Sequence, residues 1–202
     1  NGTGKSTLLK LITGELSPSA GKITISGTTG VLRQALEPQP GETVADLFAV
    51  REDLARLARI EAGNGSEEDF AAADWTLPAR FAEAVAKSGL AASPETPLAE
   101  LSCGQRTRAA LAALLFAAPD FLLLDEPTNN LDREGRAAVA ELLAGWRGGA
   151  IVVSHDRELL EGMDAIVELT SLGARRYGGG WGAYEARKAM ELAAAEHDLA
   201  DA

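Results

Sequence analysis

NGTGKST, residues 1–7, decides how the rest of the chain is read. Gly4, Lys5 and Ser6 supply the second half of the glycine-rich phosphate-binding pattern G-x-x-x-x-G-K-[ST]. The first glycine of that pattern falls one residue before Asn1, and the only methionines are Met163 and Met190. The sequence is therefore expected to be a fragment opening inside a functional loop, and by itself inactive and poorly soluble. Gly2 and Gly4 let backbone amides approach an anion with no Cβ in the way. The amides that open the following helix, and its dipole at about 0.3–2 kcal/mol, favour the anion further. Lys5 is placed to reach the terminal phosphates of a nucleotide and Ser6 to bind Mg²⁺. Read alone, half a motif is also compatible with a glycine turn before an ordinary helix. KSTLLKLIT, 5–13, reads as that helix, with Leu8, Leu9, Leu11 and Ile12 on its buried side.

FLLLDE, 121–126, supplies what half a motif cannot. A continuous apolar run fits a strand buried on both faces. It delivers Asp125 and Glu126 to the strand's C-terminal end, where open α/β sheets bind ligands. An acid there holds Mg²⁺, directly or through water. Glu126, beside it, is placed to polarise an attacking water. AIVVS, 150–154, is a second buried strand and carries His155 at its end. That imidazole can donate a hydrogen bond to a phosphate oxygen. Lys5, Asp125 and His155 thus converge on one expected ligand.

The remaining stretches place these residues in a fold. KITISG, 22–27, alternates polar and apolar and reads as a strand. TGVLRQ, 29–34, reads as another, ending in Gln34, and EPQPGE, 37–42, as a loop. From 43 to 60 the pattern is helical, with Val44, Leu47, Leu54 and Leu57 on one side, until GNGSEED, 63–69, breaks it. A second helix is predicted near 78–87, a third after LSCGQ to about 118, and a fourth over 133–146. AIVEL, 165–169, reads as a further strand. Strands alternating with helices argue for an α/β sheet with crossovers. The tail, 182–202, reads as a long helix without a strong apolar face. Glu185–Lys188 and Arg187–Glu191 sit on it at ion-pair spacings worth about 0.2–0.5 kcal/mol each.

Composition bounds the rest. The 202 residues, 46% hydrophobic and 24% charged, suit one soluble globular domain with at most a small second lobe. A net charge of −11 opposes generic binding to nucleic acid or anionic lipid. Cys103 is the single cysteine, so no intrachain disulfide forms, which fits a reducing compartment. The longest apolar run, 109–118, is well short of the roughly 18 residues a membrane-spanning helix needs.

In their order, these stretches resemble the nucleotide-binding domain of ATP-binding cassette (ABC) proteins. NGTGKST is similar to Walker A, Gln34 to the Q-loop residue, LSCGQ to the signature and LLLDEP to Walker B. Asn130-Leu131-Asp132 resembles the D-loop and His155 the switch histidine. The resemblance implies an α/β fold of the P-loop NTPase class: a mostly parallel sheet, a small antiparallel β portion and an inserted helical lobe at about 43–118. Residues 1–180 would be the nucleotide-binding domain, lacking its N-terminal strands. The cofactors implied are ATP and Mg²⁺, bound by Asn1, Gly2, Thr3, Gly4, Lys5, Ser6 and Thr7. Ser6, Asp125 and Gln34 would hold the metal, and Glu126, His155 and Gln34 would serve hydrolysis. Two cassettes would pack head to tail, so Ser102, Gly104 and Gln105 would face the partner's ATP while Asp132 links the two sites. LSCGQ precedes a helix, so its free amides and dipole suit an anion. Cys103 stands where the family has glycine; if that position needs φ > 0 or close phosphate approach, a side chain there costs something. The residue that stacks on adenine in the family lies upstream of Asn1.

EPTNNLD, SHDRELLE and RRYGGGWGAYEARKAMELAAAEHD resemble the ABC-F subfamily, soluble tandem-cassette ATPases that act on ribosomes. Tyr177, Trp181 and Tyr184 match the segment that leaves a first cassette, and 181–202 would begin the interdomain linker helix. The expected partners are a second cassette and, for the full-length protein, the ribosome, with no DNA, no membrane insertion and a cytoplasmic location. Two alternatives stay open: the ATPase subunit of a membrane transporter, and a module that holds ATP without hydrolysing it, for which Cys103 is the motive.

Overall fold

A computed structural model describes residues 4–32, 37–171 and 173–200. In chain order these form α1 (Lys5–Ile12), β1 (Thr29–Leu32), α2 (Val44–Leu47), α3 (Arg51–Glu61), α4 (Glu67–Ala71), α5 (Leu77–Lys87) and α6 (Cys103–Ala117). There follow β2 (Phe121–Asp125), α7 (Arg133–Gly145), β3 (Gly149–Val153), α8 (Arg157–Glu161), β4 (Ala165–Thr170), β5 (Gly173–Gly178) and α9 (Trp181–Ala200).

The apolar run 121–125 is the centre of the sheet. Its strands lie in the order β1-β2-β3, all parallel, with Leu32 opposite Leu124 and Asp125 opposite Val153. Leu122, Leu123 and Leu124 are buried on both faces, as a strand flanked by two others requires. Residues 22–26 form no strand. Alternation makes a strand only when a ladder partner exists, and neither sheet among the described residues includes this segment. Ile23 and Ile25 consequently stay 39% and 40% exposed. The buried side expected of α1 is also thinner: Leu9 is buried while Leu8, Leu11 and Ile12 are half-buried. β4 does not join the parallel sheet; it pairs antiparallel with β5 as a separate hairpin.

The helices between β1 and β2 build their own apolar cluster, centred on Val44, Phe48, Leu57, Phe81, Leu98 and Ala109. The helical run expected over 43–60 is interrupted. The Val50 amide donates to the Ala45 carbonyl and the Ala49 amide to that of Asp46, each at 2.9 Å, a Schellman stop with Ala49 at φ 56°. No glycine marks that stop, so the sequence hid it. Conversely, GNGSEED hides α4, which starts at a reciprocal Ser66–Asp69 cap.

The apolar stretch of α6 beyond Arg108 faces two clusters at once. Ala109, Ala112 and Ala113 pack into the helical cluster, while Ala110 and Leu111 pack into a second cluster with Leu32, Leu122, Leu124, Val139 and Leu159 on the sheet. No helix among the described residues is long and apolar enough to cross a membrane. α6 ends on exposed Ala118 in the left-handed region, φ 45° and ψ 57°. There an L side chain costs about 1–2 kcal/mol, part of which glycine gives back as unfolded-chain entropy. Ala118→Gly is expected to stabilise the chain by about 0.5–1 kcal/mol, raising Tm by about 1–4 °C in a thermal melt.

α9 docks on the β4–β5 hairpin. The Glu168 carboxylate accepts from Lys188 Nζ at 2.7 Å, the Tyr184 hydroxyl at 3.1 Å and the Tyr177 hydroxyl at 3.4 Å. Lys188 above all, helped by the two phenols, holds this carboxyl below its ordinary range. Tyr177, Trp181 and Tyr184 stack beside it, with Tyr184 5.1 Å from the Tyr177 ring and 5.3 Å from the Trp181 ring. The ion pairs read along the helix give way to pairs across it: Lys188 reaches Glu168, Glu191 takes Arg175 at 2.8 Å, and Glu185 lies 3.8 Å from Arg157. A half-buried carboxylate offers a lysine more than a solvated neighbour one turn away.

Candidate functional site

The C-terminal ends of β2 and β3 meet the start of α1. The N-cap of α1 is Gly4, at φ 84°, and it supplies no side-chain cap, so the amides of the first turn face outward for an external acceptor. Ser6, in that turn, donates from Oγ to Asp125 Oδ2 at 3.3 Å. One residue further the Glu126 amide donates to the Val153 carbonyl at 2.8 Å, extending the β2–β3 pairing. Glu126 sits at φ 51°, where a non-glycine residue costs about 1–2 kcal/mol. Its side chain is buried, 8% exposed, and aimed at His155. The carboxylate accepts from the His155 amide at 3.3 Å through Oε2, and Oε1 lies 3.3 Å from His155 Nε2. A strained backbone with a buried acid is a combination that sheet stability does not ask for.

Lys5 and His155 line one cleft of about 590 Å³, which runs along β3 toward β4 and is closed by Trp181 and Tyr184. The structure thus brings together Lys5, Ser6, Asp125, Glu126 and His155. Thr7 is exposed beside them on α1. Asn1, Gly2, Thr3 and Gln34, also expected in the site, lie outside the described residues.

Ser102, Gly104, Gln105 and Asp132 are gathered elsewhere, in a separate cleft of about 560 Å³ shared with Cys103, Arg108, Asn130 and Leu131. Ser102 caps α6: its Oγ accepts from the Gln105 amide at 3.3 Å, and Gln105 Oε1 accepts from the Ser102 amide at 2.9 Å. Cys103 follows as the first helical residue, exposed and absent from the non-glycine residues with positive φ. A side chain at 103 therefore carries no backbone strain. The close approach falls one residue later, where a Cβ on Gly104 would stand 3.0 Å from the Asn130 carbonyl oxygen. Asp132 caps α7, accepting at Oδ1 from the Gly135 amide at 2.8 Å and from Arg108 Nη2 at 2.6 Å. The Gly135 amide first, and Arg108 second, hold its carboxyl below the usual range. Sequence reasoning missed Arg108, whose partner lies 24 residues away and leaves no local signal.

The donor set can be tested against nucleotide and metal. Among the described residues no cluster of three or more His, Cys, Asp or Glu could cage an ion. A hydroxyl and a carboxylate side by side, Ser6 and Asp125, are what Mg²⁺ takes from a protein when phosphate oxygens and water complete its shell. The uncapped turn of α1 beside them suits the phosphates.

The family model described as ABC transporter matches residues 1–129. The chain belongs to the ABC transporter family. This ABC cassette is 37% identical over 218 residues to the tylosin resistance ATP-binding protein TlrC of Streptomyces fradiae, an alignment covering 95% of the chain and 40% of that protein. It is 34% identical over 220 residues to the energy-dependent translational throttle protein EttA of Mycobacterium tuberculosis, covering 96% of the chain and 38% of EttA. The cassette thus spans about two fifths of the length of these relatives. Among solved structures, the ATP-binding cassette MJ0796, a dimer in a post-hydrolysis state bound to ADP and Pi, superposes with a TM-score of 0.66. That match covers 88% of this chain and 81% of the other at 23% identity, a likeness of fold. The α/β architecture expected from the sequence, a parallel sheet with a small antiparallel part, is therefore that of an ABC ATPase.

Proposed function

We propose that this cassette binds ATP with Mg²⁺ and hydrolyses it to ADP and phosphate, within an ABC-F type protein that acts on the ribosome. The observation that carries the chemistry is the meeting of Ser6 with Asp125, and of Glu126 with His155, at one rim of the sheet. Lys5 and the first amides of α1 orient the phosphates. Ser6 Oγ and the Asp125 carboxylate would hold Mg²⁺, which when bound would supply positive charge beside the transferred phosphoryl group. The Glu126 carboxylate orients the attacking water and accepts its proton, while the amide and ring of His155 hold that carboxylate in place. By the likeness to Walker A and the Q-loop, Asn1, Gly2, Thr3 and Thr7 are assigned to phosphate binding and Gln34 to the metal and water.

Ser102, Gly104 and Gln105 serve the nucleotide of a second cassette, with Asp132 at the junction. The helices between β1 and β2 are the inserted lobe, and α9 opens the linker between cassettes. The ABC-F reading is supported by EPTNNLD, SHDRELLE and the Tyr177–Trp181–Tyr184 cluster. It is supported too by the names of TlrC, a resistance protein, and EttA, a translational throttle. It places the protein in the cytoplasm. Of the two motives for the non-hydrolysing alternative, backbone strain at Cys103 is absent, and close approach of the Cys103 side chain to phosphate is the one that stays.

The test is sedimentation of the intact protein through sucrose with ribosomes. Co-sedimentation is expected with ATP when hydrolysis is blocked, and little with ADP. Recovery with a membrane partner instead, at equal ribosome signal in both nucleotides, would select the transporter reading.

A further inference from the structure

The cleft around Ser102 has two walls from distant parts of the chain: the start of α6, and the loop before α7. Gly104 lets them approach closely, since a Cβ there would stand 3.0 Å from the Asn130 carbonyl oxygen, but the absence of a side chain sets only a minimum distance. A directional link comes from Arg108. Its Nη2 meets Asp132 Oδ1 at 2.6 Å, and that same oxygen caps Gly135 at 2.8 Å. The guanidinium also borders two glycines: a Cβ would stand 3.2 Å from Nη2 at Gly135 and 3.7 Å from Nη1 at Gly89. It therefore lies where the end of α5, the first turns of α6 and the start of α7 meet. Arg108 is 23% exposed, its partner 66%. The anchored end of the pair is the arginine, while the acid stays largely in solvent and is held by the Gly135 amide.

We infer that Arg108 is a positioning residue: it clasps the cap of α7 to α6 and so fixes the spacing between Ser102 and Asp132 across the cleft. This rests on the proposal that the cleft serves ATP turnover with a second cassette. Charge-assisted hydrogen bonds are the strong and directional ones, and here one joins a residue of α6 to the N-cap of α7. α6 packs on the helical cluster and on the sheet cluster at once, so a small rotation of the helices between β1 and β2 would move Ser102. The clasp makes the Asn130–Asp132 loop follow that movement. Arg108 touches no expected position of Lys5, Ser6 or Asp125, so its removal acts on turnover and not on nucleotide capture.

Steady-state ATP hydrolysis by the intact protein tests this. Arg108→Met is expected to lower kcat about tenfold with KM for ATP within about twofold, and Arg108→Lys to recover part of the loss. Hydrogen–deuterium exchange on the same variants gives a readout independent of activity. Amides of 101–108 and 129–136 should exchange faster together in Arg108→Met, with the β4–β5 hairpin unchanged. Unaltered kcat, a rise confined to KM, or faster exchange throughout the chain would overturn the clasp. If the wild type hydrolyses no ATP, the proposed function fails instead, and the exchange pattern alone decides: a paired rise supports the clasp, and its absence ends it.

Discussion

Glu126→Gln is expected to reduce ATP turnover by about 10²- to 10⁴-fold while nucleotide binding survives, the range a positioned general base contributes. The substitution keeps shape and removes charge. Glutamine retains an oxygen for the His155 amide, which lies 3.3 Å from the native carboxylate, so the local fold should hold. What it cannot do is take a proton from water. Glu126 also sits at φ 51° on a non-glycine residue, a cost met at a buried acid at the end of β2. In the proposed mechanism binding depends on other groups: Lys5 and the first turn of α1 would take the phosphates, Ser6 and Asp125 the Mg²⁺. The variant should therefore retain ATP and accumulate the paired-cassette state. Single-turnover hydrolysis measured beside nucleotide retention on a filter checks both halves. Turnover within threefold of wild type would remove Glu126 from the role of base, and loss of binding would mean that its side chain shapes the phosphate pocket.

The parts of this site legible in the sequence are those whose environment is uniform along the chain. FLLLD is buried through Leu122–Leu124, so nothing polar interrupts it, and its end announced Asp125 and Glu126. AIVVS, expected to be a second buried strand, is instead the edge of the described sheet, with Ala150 exposed and 151–154 half-buried; its apolar run still announced His155. LSCGQ was readable for a different reason: the Ser102–Gln105 cap is local, three residues across. Features that need a partner from far along the chain were not readable. KITISG has a strand's pattern and forms none, because pairing is a property of two segments. Lys188 has a helical neighbour in Glu185 and prefers Glu168, 20 residues back. The stop at Ala49 carries no glycine to announce it; burial of Phe48 and Val50 on either side offsets one left-handed alanine. Arg108 belongs with these. Its meaning lies in Asp132, and only the fold brings the two together.

Phe48→Ala is expected to cost about 3–5 kcal/mol, a large share of the 5–15 kcal/mol that a domain has. Phe48 is 5% exposed at the turn after α2, with its ring 4.8 Å from that of Phe81 and 5.5 Å from that of Phe116. It therefore joins α2, α5 and α6 at a single point. Truncation leaves a cavity that three helices would have to close, and rigid helices relax poorly around a void. The loss should be felt unevenly. The helical cluster and the sheet cluster share α6 but few other elements, and Phe48 belongs to the first. Protection from hydrogen exchange should fall across 44–113 while β2 and β3 keep theirs, so that Ser102 and Gln105 lose their placement before Ser6 and Asp125 do. In function, nucleotide capture should outlast the ability to complete a partner's site. Urea unfolding followed by exchange gives the answer. A loss below about 1 kcal/mol would show that the three rings contribute little to packing. Equal loss of protection in both regions would show that α6 welds the clusters into one cooperative unit, leaving no independent lobe to move.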